Sequence, residues 1–242
     1  MTTLNVNTIK PAGSTLNIGE SGDTLVIADD VKVNLVKDAG ANTLWSSNGS
    51  GVLSSVRAGI GGAMRLLSTQ TVTSSTASVD FTTQFTSDYR EYVLKYINMH
   101  PINDGASGFI IYGSTDNTNW NAINITSTLF TAQHAENNSE AVLEFYGSYA
   151  QNQGTEANTP VSNAGNASDE CCSGEFHLFN PASTVYVKNF YGTGNTAASN
   201  DYSMNQYIGG YFNTQSAITG VRCRFGSGNI DSGTIKLYGV AS

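Results

Sequence analysis

Apolar and polar residues alternate along four short segments near the start of the sequence. The segments cover residues 4–9, 14–19, 23–28 and 31–36. Because successive side chains of a β-strand point to opposite faces, a period of two predicts short strands that are buried on one face. Pro11 and the glycines at positions 13, 19 and 22 separate the segments, and both residue types favour turns.

Segments of this kind cannot fold alone. Each offers about three apolar side chains, whose burial is worth roughly 5–9 kcal/mol, while ordering about six residues costs about 9 kcal/mol. Identical chains wound around a shared axis would supply the missing surface, so we expect an intertwined, oligomeric stalk. Its contacts are expected from the apolar members of the repeats: Leu4, Val6, Ile9, Leu16, Ile18, Leu25, Ile27, Val31, Val33 and Leu35.

Composition changes after a glycine-rich joint at Gly59, Gly61 and Gly62. Beyond it the expected strands are longer and more aromatic. Residues 64–82 predict two strands separated by the Ser/Thr cluster at 74–76, and residues 89–101 predict a central strand, because both of its faces are apolar. We therefore expect an N-terminal attachment or stalk domain at residues 1–62 and a head domain at residues 63–242.

The rest of the head also has the pattern of strands and turns. Residues 108–126 predict a hairpin, and further strands are expected at 141–150, 174–181, 184–192, 204–213, 217–228 and 233–241. The polar stretches 151–170 and 193–201 are expected to be loops. Many short strands at even spacing predict an all-β fold, with a jelly-roll-like β-sandwich head behind the short-strand stalk.

Charge and hydropathy exclude several classes of partner. Charged residues make up 12% of the chain and the formal net charge is -8, with no basic stripe to neutralise phosphates, so we expect no nucleic acid partner. No apolar run approaches the roughly 18 residues that a membrane-spanning helix needs, and no signal-peptide pattern is visible. We therefore expect no membrane insertion, and synthesis as a soluble cytosolic product.

Four blocks of the sequence resemble proteins of tailed bacteriophages. Residues 89–120, 168–190 and 208–241 are similar to a C-terminal β domain of tail fibre and tail-tip proteins, especially from marine phages, and residues 5–27 are similar to N-terminal segments of phage fibres. The resemblance implies a virion protein assembled in the host cytoplasm as a homotrimer. It further implies attachment to other virion proteins through the N-terminal region and a receptor-facing surface at the other end.

The sequence offers weak support for catalysis, cofactors or metals. Glycoside hydrolysis needs two carboxyl groups around one bond, and no spacing singles out a pair among the acidic residues. The run of Asp169, Glu170, Cys171 and Cys172 with His177 lacks the second half of a zinc site. We expect no enzyme activity, no cofactor and no metal, and reduced thiols, with a strained vicinal disulfide as the alternative.

Binding of a host cell-surface polysaccharide is the function that we expect. A sugar presents an apolar ring face and many hydroxyls, so its site needs an exposed aromatic ring beside amide and carboxylate groups. A purely structural decoration, collar or short appendage protein is the alternative, and a polysaccharide depolymerase is a third. The candidate glycan-binding residues are Trp120, Tyr146, Tyr149, Asn152, Gln153, Asn195, Asn200, Asp201, Tyr202 and Tyr207.

Overall fold

The computed structural model describes residues 35–37, 40–47, 53–56, 64–106 and 108–240. The chain divides into two units, Met1–Val56 and Arg57–Ser242. The domain boundary expected after residue 62 lies outside the described residues. The apolar residues expected to make stalk contacts also lie outside them, apart from Leu35.

The described part of the first unit is a small antiparallel sheet. Strands β1 (Leu35–Lys37), β2 (Thr43–Ser47) and β3 (Leu53–Val56) follow one another in order. Val36 pairs with Trp45, and Trp45 pairs with Val56 on the next strand. Leu35 is about half exposed, at 47%.

The second unit contains thirteen strands and one short 3₁₀ helix, η1, among its described residues. No described helix has the length and apolar character that a membrane crossing requires. The elements are β4 (Met64–Val72), β5 (Val79–Phe81), β6 (Glu91–Pro101), β7 (Phe109–Ser114), β8 (Ile125–Ala135), β9 (Ala141–Phe145), η1 (Gly147–Tyr149), β10 (Asn152–Gly154), β11 (Asn158–Val161), β12 (Cys172–Phe179), β13 (Lys188–Ala198), β14 (Tyr202–Phe212), β15 (Gly220–Phe225) and β16 (Ile230–Val240).

These strands form two antiparallel sheets. The nine-stranded sheet has the order β10-β8-β14-β13-β12-β6-β16-β4, with β9 paired to β8, and the four-stranded sheet has the order β11-β7-β15-β5. Eight of the strands, β4-β16-β6-β12 in one sheet and β5-β15-β7-β11 in the other, have the strand order of a jelly roll. The nine-stranded sheet extends beyond these jelly-roll strands through β13, β14, β8, β9 and β10. The prediction of an all-β fold with a sandwich head is confirmed.

The core forms where the inward faces of the two sheets meet. Tyr92, Leu94 and Tyr96 of β6 are fully buried, and β6 lies between β12 and β16, as its two apolar faces predicted. The Tyr96 ring lies 4.9 Å from the ring of Phe109, and Phe109 lies 5.5 Å from Phe225. Aromatic side chains of β6, β7 and β15 therefore join the two sheets.

Close backbone approach explains two glycines in this core. The hydroxyl of Tyr96 donates a hydrogen bond to the Thr193 carbonyl oxygen at 3.0 Å. A β-carbon at Gly174 would collide with that carbonyl and with the Tyr96 hydroxyl, and a β-carbon at Gly194 would collide with the same hydroxyl and with Val161. The buried tyrosine therefore depends on two positions without side chains.

The predicted hairpin at residues 108–126 is wrong. Strand β7 pairs with β11 and β15 in the four-stranded sheet, whereas β8 pairs with β14, β9 and β10 in the nine-stranded sheet. The connection between them therefore crosses from one sheet to the other. Ile123 in this connection is 8% exposed and packs in the core, which anchors the crossing.

The two predicted loops also contain strands. Residues 151–170 include β10 and β11, and Thr193–Ala198 belongs to β13. Apart from Val161, the inward positions of these strands carry small or polar residues, which give no apolar signal. In the first stretch, buried Ser162 accepts a 2.8 Å hydrogen bond from the amide of buried Gln206. A polar residue with a partner inside the fold costs little to bury, so the sequence pattern concealed these strands.

Candidate functional site

Two adjoining clefts lie on the outer face of the four-stranded sheet. Their volumes are about 490 Å³ and 250 Å³, and they share Tyr112 and Asn121 as lining residues. Tyr112 alternates along β7 with the buried Ile111, so it points away from the core. The clefts together form a surface that we call the outer groove. Its other lining residues include Trp120, Tyr149, Gln151, Glu156, Arg222 and Arg224.

Asp116 fixes the loop that carries Trp120. One carboxylate oxygen, Oδ1, accepts hydrogen bonds from the backbone amides of Thr118 and Asn119, each at 2.8 Å. The other, Oδ2, accepts one from the Asn119 side-chain amide at 2.6 Å. These donors favour the charged form, so the pKa of the Asp116 carboxyl lies far below its usual value. The carboxylate therefore acts as the anchor of the turn.

The Trp120 ring packs on the guanidinium of Arg222, which is itself held by Asp80. The Cζ atom of Arg222 lies 4.5 Å from the centroid of the Trp120 ring. The same guanidinium donates two hydrogen bonds to the Asp80 carboxylate, at 2.8 Å and 2.7 Å. Arg222 and Asp80 are direct partners on β15 and β5, and Tyr112 is the partner of Arg222 on β7. The ring is therefore oriented by the sheet.

Arg224 follows Arg222 by two residues on β15 and also lines the smaller cleft. Its Nε atom donates to the Phe225 carbonyl oxygen at 2.9 Å, and Nη2 donates to the Gly226 carbonyl oxygen at 3.3 Å. No carboxylate within the described residues forms an ion pair with it. The groove thus contains an oriented guanidinium whose charge is not neutralised by a described neighbour.

The larger cleft is bordered by Tyr149, at the end of η1. The rings of Tyr146 and Tyr149 lie 5.1 Å apart, and both side chains are partly buried against the core. Burial, together with the neighbouring Tyr146, raises the pKa of the Tyr149 hydroxyl. Tyr146 packs against Tyr149 and does not line the groove. Tyr149 is therefore the member of this predicted pair that lines it.

The other predicted glycan-binding residues lie outside the outer groove. Asn152 and Gln153 are in the edge strand β10, where Gln153 accepts a hydrogen bond from Asn213 at 2.7 Å. Asn195 and Tyr207 are on the outer face of the nine-stranded sheet, and the Tyr207 ring stacks on Phe130 with a centroid distance of 4.9 Å.

The remaining three predicted residues are at the β13–β14 turn. Asn200 accepts a hydrogen bond from Asn163 at 2.9 Å, and Asp201 has a positive φ of 61°. The Tyr202 hydroxyl donates to the Glu140 carboxylate at 2.7 Å. The structure therefore brings Trp120 and Tyr149 together in one groove and places the rest elsewhere.

The groove residues on β7 and β15 were not predicted from the sequence. Arg222 and Arg224 alternate with the buried Val221, Cys223 and Phe225. That alternation was the available signal, because it places both arginines on the outer face of one strand. The alternation could not predict that these arginines lie close to Trp120, because Trp120 comes from a different part of the chain.

Within the described residues, no group of three or more His, Cys, Asp or Glu side chains is placed to hold a metal ion. The three cysteines are free thiols, and Cys172 begins β12. Burial raises the pKa of both the Cys172 and the Cys223 thiols. His177 lies between the carboxylates of Glu91 and Glu175, with its Nδ1 atom 2.6 Å from Glu91 Oε1 and its Nε2 atom 3.4 Å from Glu175 Oε1.

A scan of protein-family models, a search of curated proteins and a search of solved structures each found no match.

Proposed function

We propose that the chain is a virion protein of a tailed bacteriophage, a trimeric tail fibre that attaches the particle to host cell-surface glycans. Two independent considerations support the proposal. The first is the resemblance of its sequence blocks to phage fibre proteins. The second is the outer groove, whose chemistry suits a sugar.

Trp120 is the observation that carries the proposal. A sugar ring is bound most readily by a flat aromatic side chain whose position is fixed beforehand, because little side-chain entropy is then lost on binding. Trp120 meets this condition through Arg222 and the Asp116 turn. Asn121 borders the same cleft, and its exposed amide can both donate to and accept from sugar hydroxyls.

The proposed function is binding without catalysis. Glycoside hydrolysis needs two carboxyl groups placed on either side of one bond. Among the residues lining the two described clefts, Glu156 is the acidic one. Asp116 is engaged by backbone amides and contributes to the shape of the loop.

Avidity is the proposed mechanism of attachment. A homotrimer carries three copies of the groove, and several fibres carry more, so weak individual contacts combine into firm attachment. In this proposal the N-terminal repeats hold the trimer together and join it to other virion proteins. Assembly takes place in the host cytoplasm before the particle is released.

A glycan array probed with the full-length protein tests the proposal. We expect selective binding to host surface glycans, and we expect Trp120→Ala to weaken it by about tenfold or more, as for the loss of a central aromatic contact. The matched control is Tyr186→Ala, which removes an aromatic side chain that is 70% exposed and does not line either described cleft. Equal binding by the wild type and Trp120→Ala would contradict the assignment of the groove.

A structural role without receptor contact is the second candidate. It is favoured by exposed apolar residues on the outer face of β8, β9 and β14, where Phe130, Leu143 and Phe145 are 45%, 73% and 65% exposed. Such a patch suits contact with another protein. Under this alternative, Phe130→Ser with Phe145→Ser abolishes incorporation into particles, while Trp120→Ala leaves adsorption to cells unchanged.

A further inference from the structure

Some described cationic side chains of the sandwich are paired with carboxylates, and Arg224 is not among them. Lys95 pairs with Glu175 at 3.3 Å, and Arg222 pairs with Asp80. Lys188 is fully buried and donates to three backbone carbonyls. Arg224 is oriented by two carbonyls and has no described carboxylate partner, although the chain as a whole has a net charge of -8.

The Arg224 guanidinium has N–H donors that its two carbonyl acceptors do not use. A guanidinium has five N–H donors in a planar fork, and Arg224 uses one on Nε and one on Nη2. Three donors remain, including both on Nη1. Because the two carbonyls already fix the plane of the group, little side-chain entropy is lost when a ligand engages the remaining donors.

From these observations we infer that the outer groove binds a carboxylate-bearing saccharide, with the acid group on Arg224 and the sugar ring on Trp120. This inference rests on the proposed saccharide-binding function and specifies its ligand class. A carboxylate is planar and accepts two parallel hydrogen bonds from one guanidinium. Arg222 and Arg224 are two residues apart on one strand, so their α-carbons lie roughly 7 Å apart and both side chains project from the same face. This arrangement suits one acidic sugar ring.

Acidic residues elsewhere on the surface favour one orientation of the ligand, with its acid group toward Arg224. Glu156 borders the larger cleft and repels an anion there, so the acid group is directed toward Arg224. At the β13–β14 turn, Asp201 lies beside Glu136, whose backbone amide donates to the Asp201 carbonyl oxygen, and Glu140 accepts from Tyr202. That acidic turn is therefore unfavourable for the same ligand.

The test is a panel of uronic and sialic acid glycans, each paired with its carboxyl-reduced counterpart, probed with the full-length protein. We expect carboxyl reduction and Arg224→Gln each to weaken binding by on the order of tenfold, the usual effect of one charge-assisted hydrogen-bonding group. Rising salt concentration should weaken binding of the acidic forms more than that of the reduced forms. Arg90→Gln makes the same change at an exposed arginine that does not line either described cleft, and it should have no effect.

The outcomes distinguish a failure of the carboxylate inference from a failure of the proposed function. Equal binding of acidic and reduced glycans that is lost in Trp120→Ala overturns the inference and leaves the proposed function intact. Binding to no glycan overturns the proposed function together with the inference. Equally strong binding of a sulfated glycan without carboxylates overturns the carboxylate assignment. A structural role for Arg224 alone would lower the melting temperature of Arg224→Gln without changing its preference between acidic and reduced glycans.

Discussion

The indole ring of Trp120 lies over the guanidinium of Arg222, 4.5 Å from ring centroid to Cζ, and that guanidinium is also paired with Asp80 through two hydrogen bonds. One arginine thus couples a loop residue to two neighbouring strands. The coupling explains how a tryptophan in a loop can hold a defined orientation.

Replacement of Arg222 by lysine tests this coupling. Arg222→Lys keeps the charge but loses the planar fork that pairs with Asp80 and stacks on the ring. We expect stability to fall by only about 0.5–1 kcal/mol, since the pair is partly exposed, while acrylamide quenches Trp120 fluorescence more efficiently. The measurement is made in a Trp45→Phe background, so that Trp120 is the sole tryptophan. Unchanged quenching would show that the ring is held by the Asp116 turn alone.

Gly174 is expected to be intolerant of a side chain. Gly174→Ala places a methyl group against the Thr193 carbonyl and the Tyr96 hydroxyl, and we expect a loss of about 1–3 kcal/mol, as for other overpacked positions. The matched control is Gly209→Ala in β14, where the added carbon meets only the Phe190 carbonyl, at 3.9 Å. Urea denaturation of the two variants measures the difference. Similar stabilities would contradict the close approach.

Lys188 is expected to be essential to one end of the sandwich. Its ammonium group donates to the carbonyls of Tyr186, Thr214 and Gln215, at 2.6, 3.1 and 3.3 Å, and ties two loops together. We expect Lys188→Met to lower the free energy of unfolding by about 2–4 kcal/mol, because three carbonyls lose a charged donor. Lys236→Met, at a partly exposed lysine of β16, should change it by less than about 0.5 kcal/mol. Thermal denaturation of both variants provides the comparison.

Glu175 is expected to make stability depend on pH in acid. Burial acts to raise the pKa of its carboxyl, but the nearby His177 ring and Lys95 ammonium outweigh burial and lower the pKa below the ordinary 4.5. The resulting stabilisation is present above the unfolded-state pKa and is lost as the pH falls through the folded-state pKa. The unfolding free energy of Glu175→Gln should therefore fall less steeply below pH 4.5 than that of the wild type. Parallel curves would refute the assignment.

The oligomer predicted from the N-terminal repeats, with three chains as the resemblance to phage fibres implies, has its own test. Leu25→Asp with Ile27→Asp places two charges on the apolar face of one repeat, and we expect the trimer to dissociate into monomers. Asn17→Asp with Asn34→Asp adds the same charge at polar positions and should leave the trimer intact. Sedimentation equilibrium gives the mass of each variant directly. A monomeric wild type would contradict the stalk hypothesis itself.

The central strand could be predicted from the sequence because its signal is local. Residues 89–101 carry apolar side chains on both faces, and β6 accordingly lies inside the larger sheet. The break at residues 74–76 likewise separates β4 from β5. Strands of this kind depend on their own alternation, so their existence follows from the chain without knowledge of their partners.

Strands with small or polar inward residues could not be found in the same way. The inner face of β13 carries Gly194, Thr196 and Ala198, all of which are buried, and Tyr96 and Val161 fill the space next to Gly194. Buried Ser162 is satisfied by Gln206, which is distant in the sequence. Their burial depends on partners that only the folded chain supplies. The prediction of loops missed these strands for that reason.

The sequence by itself determined the all-β class, the central strand and the acidic, weakly charged character of the protein. Only the tertiary structure decided that β7 and β8 belong to different sheets and that Trp120, Arg222 and Arg224 meet in one groove. The physical reason is the range of the interactions. Alternation along a strand is set by neighbouring residues, whereas a groove forms where strand pairing and sheet packing bring distant residues to one surface.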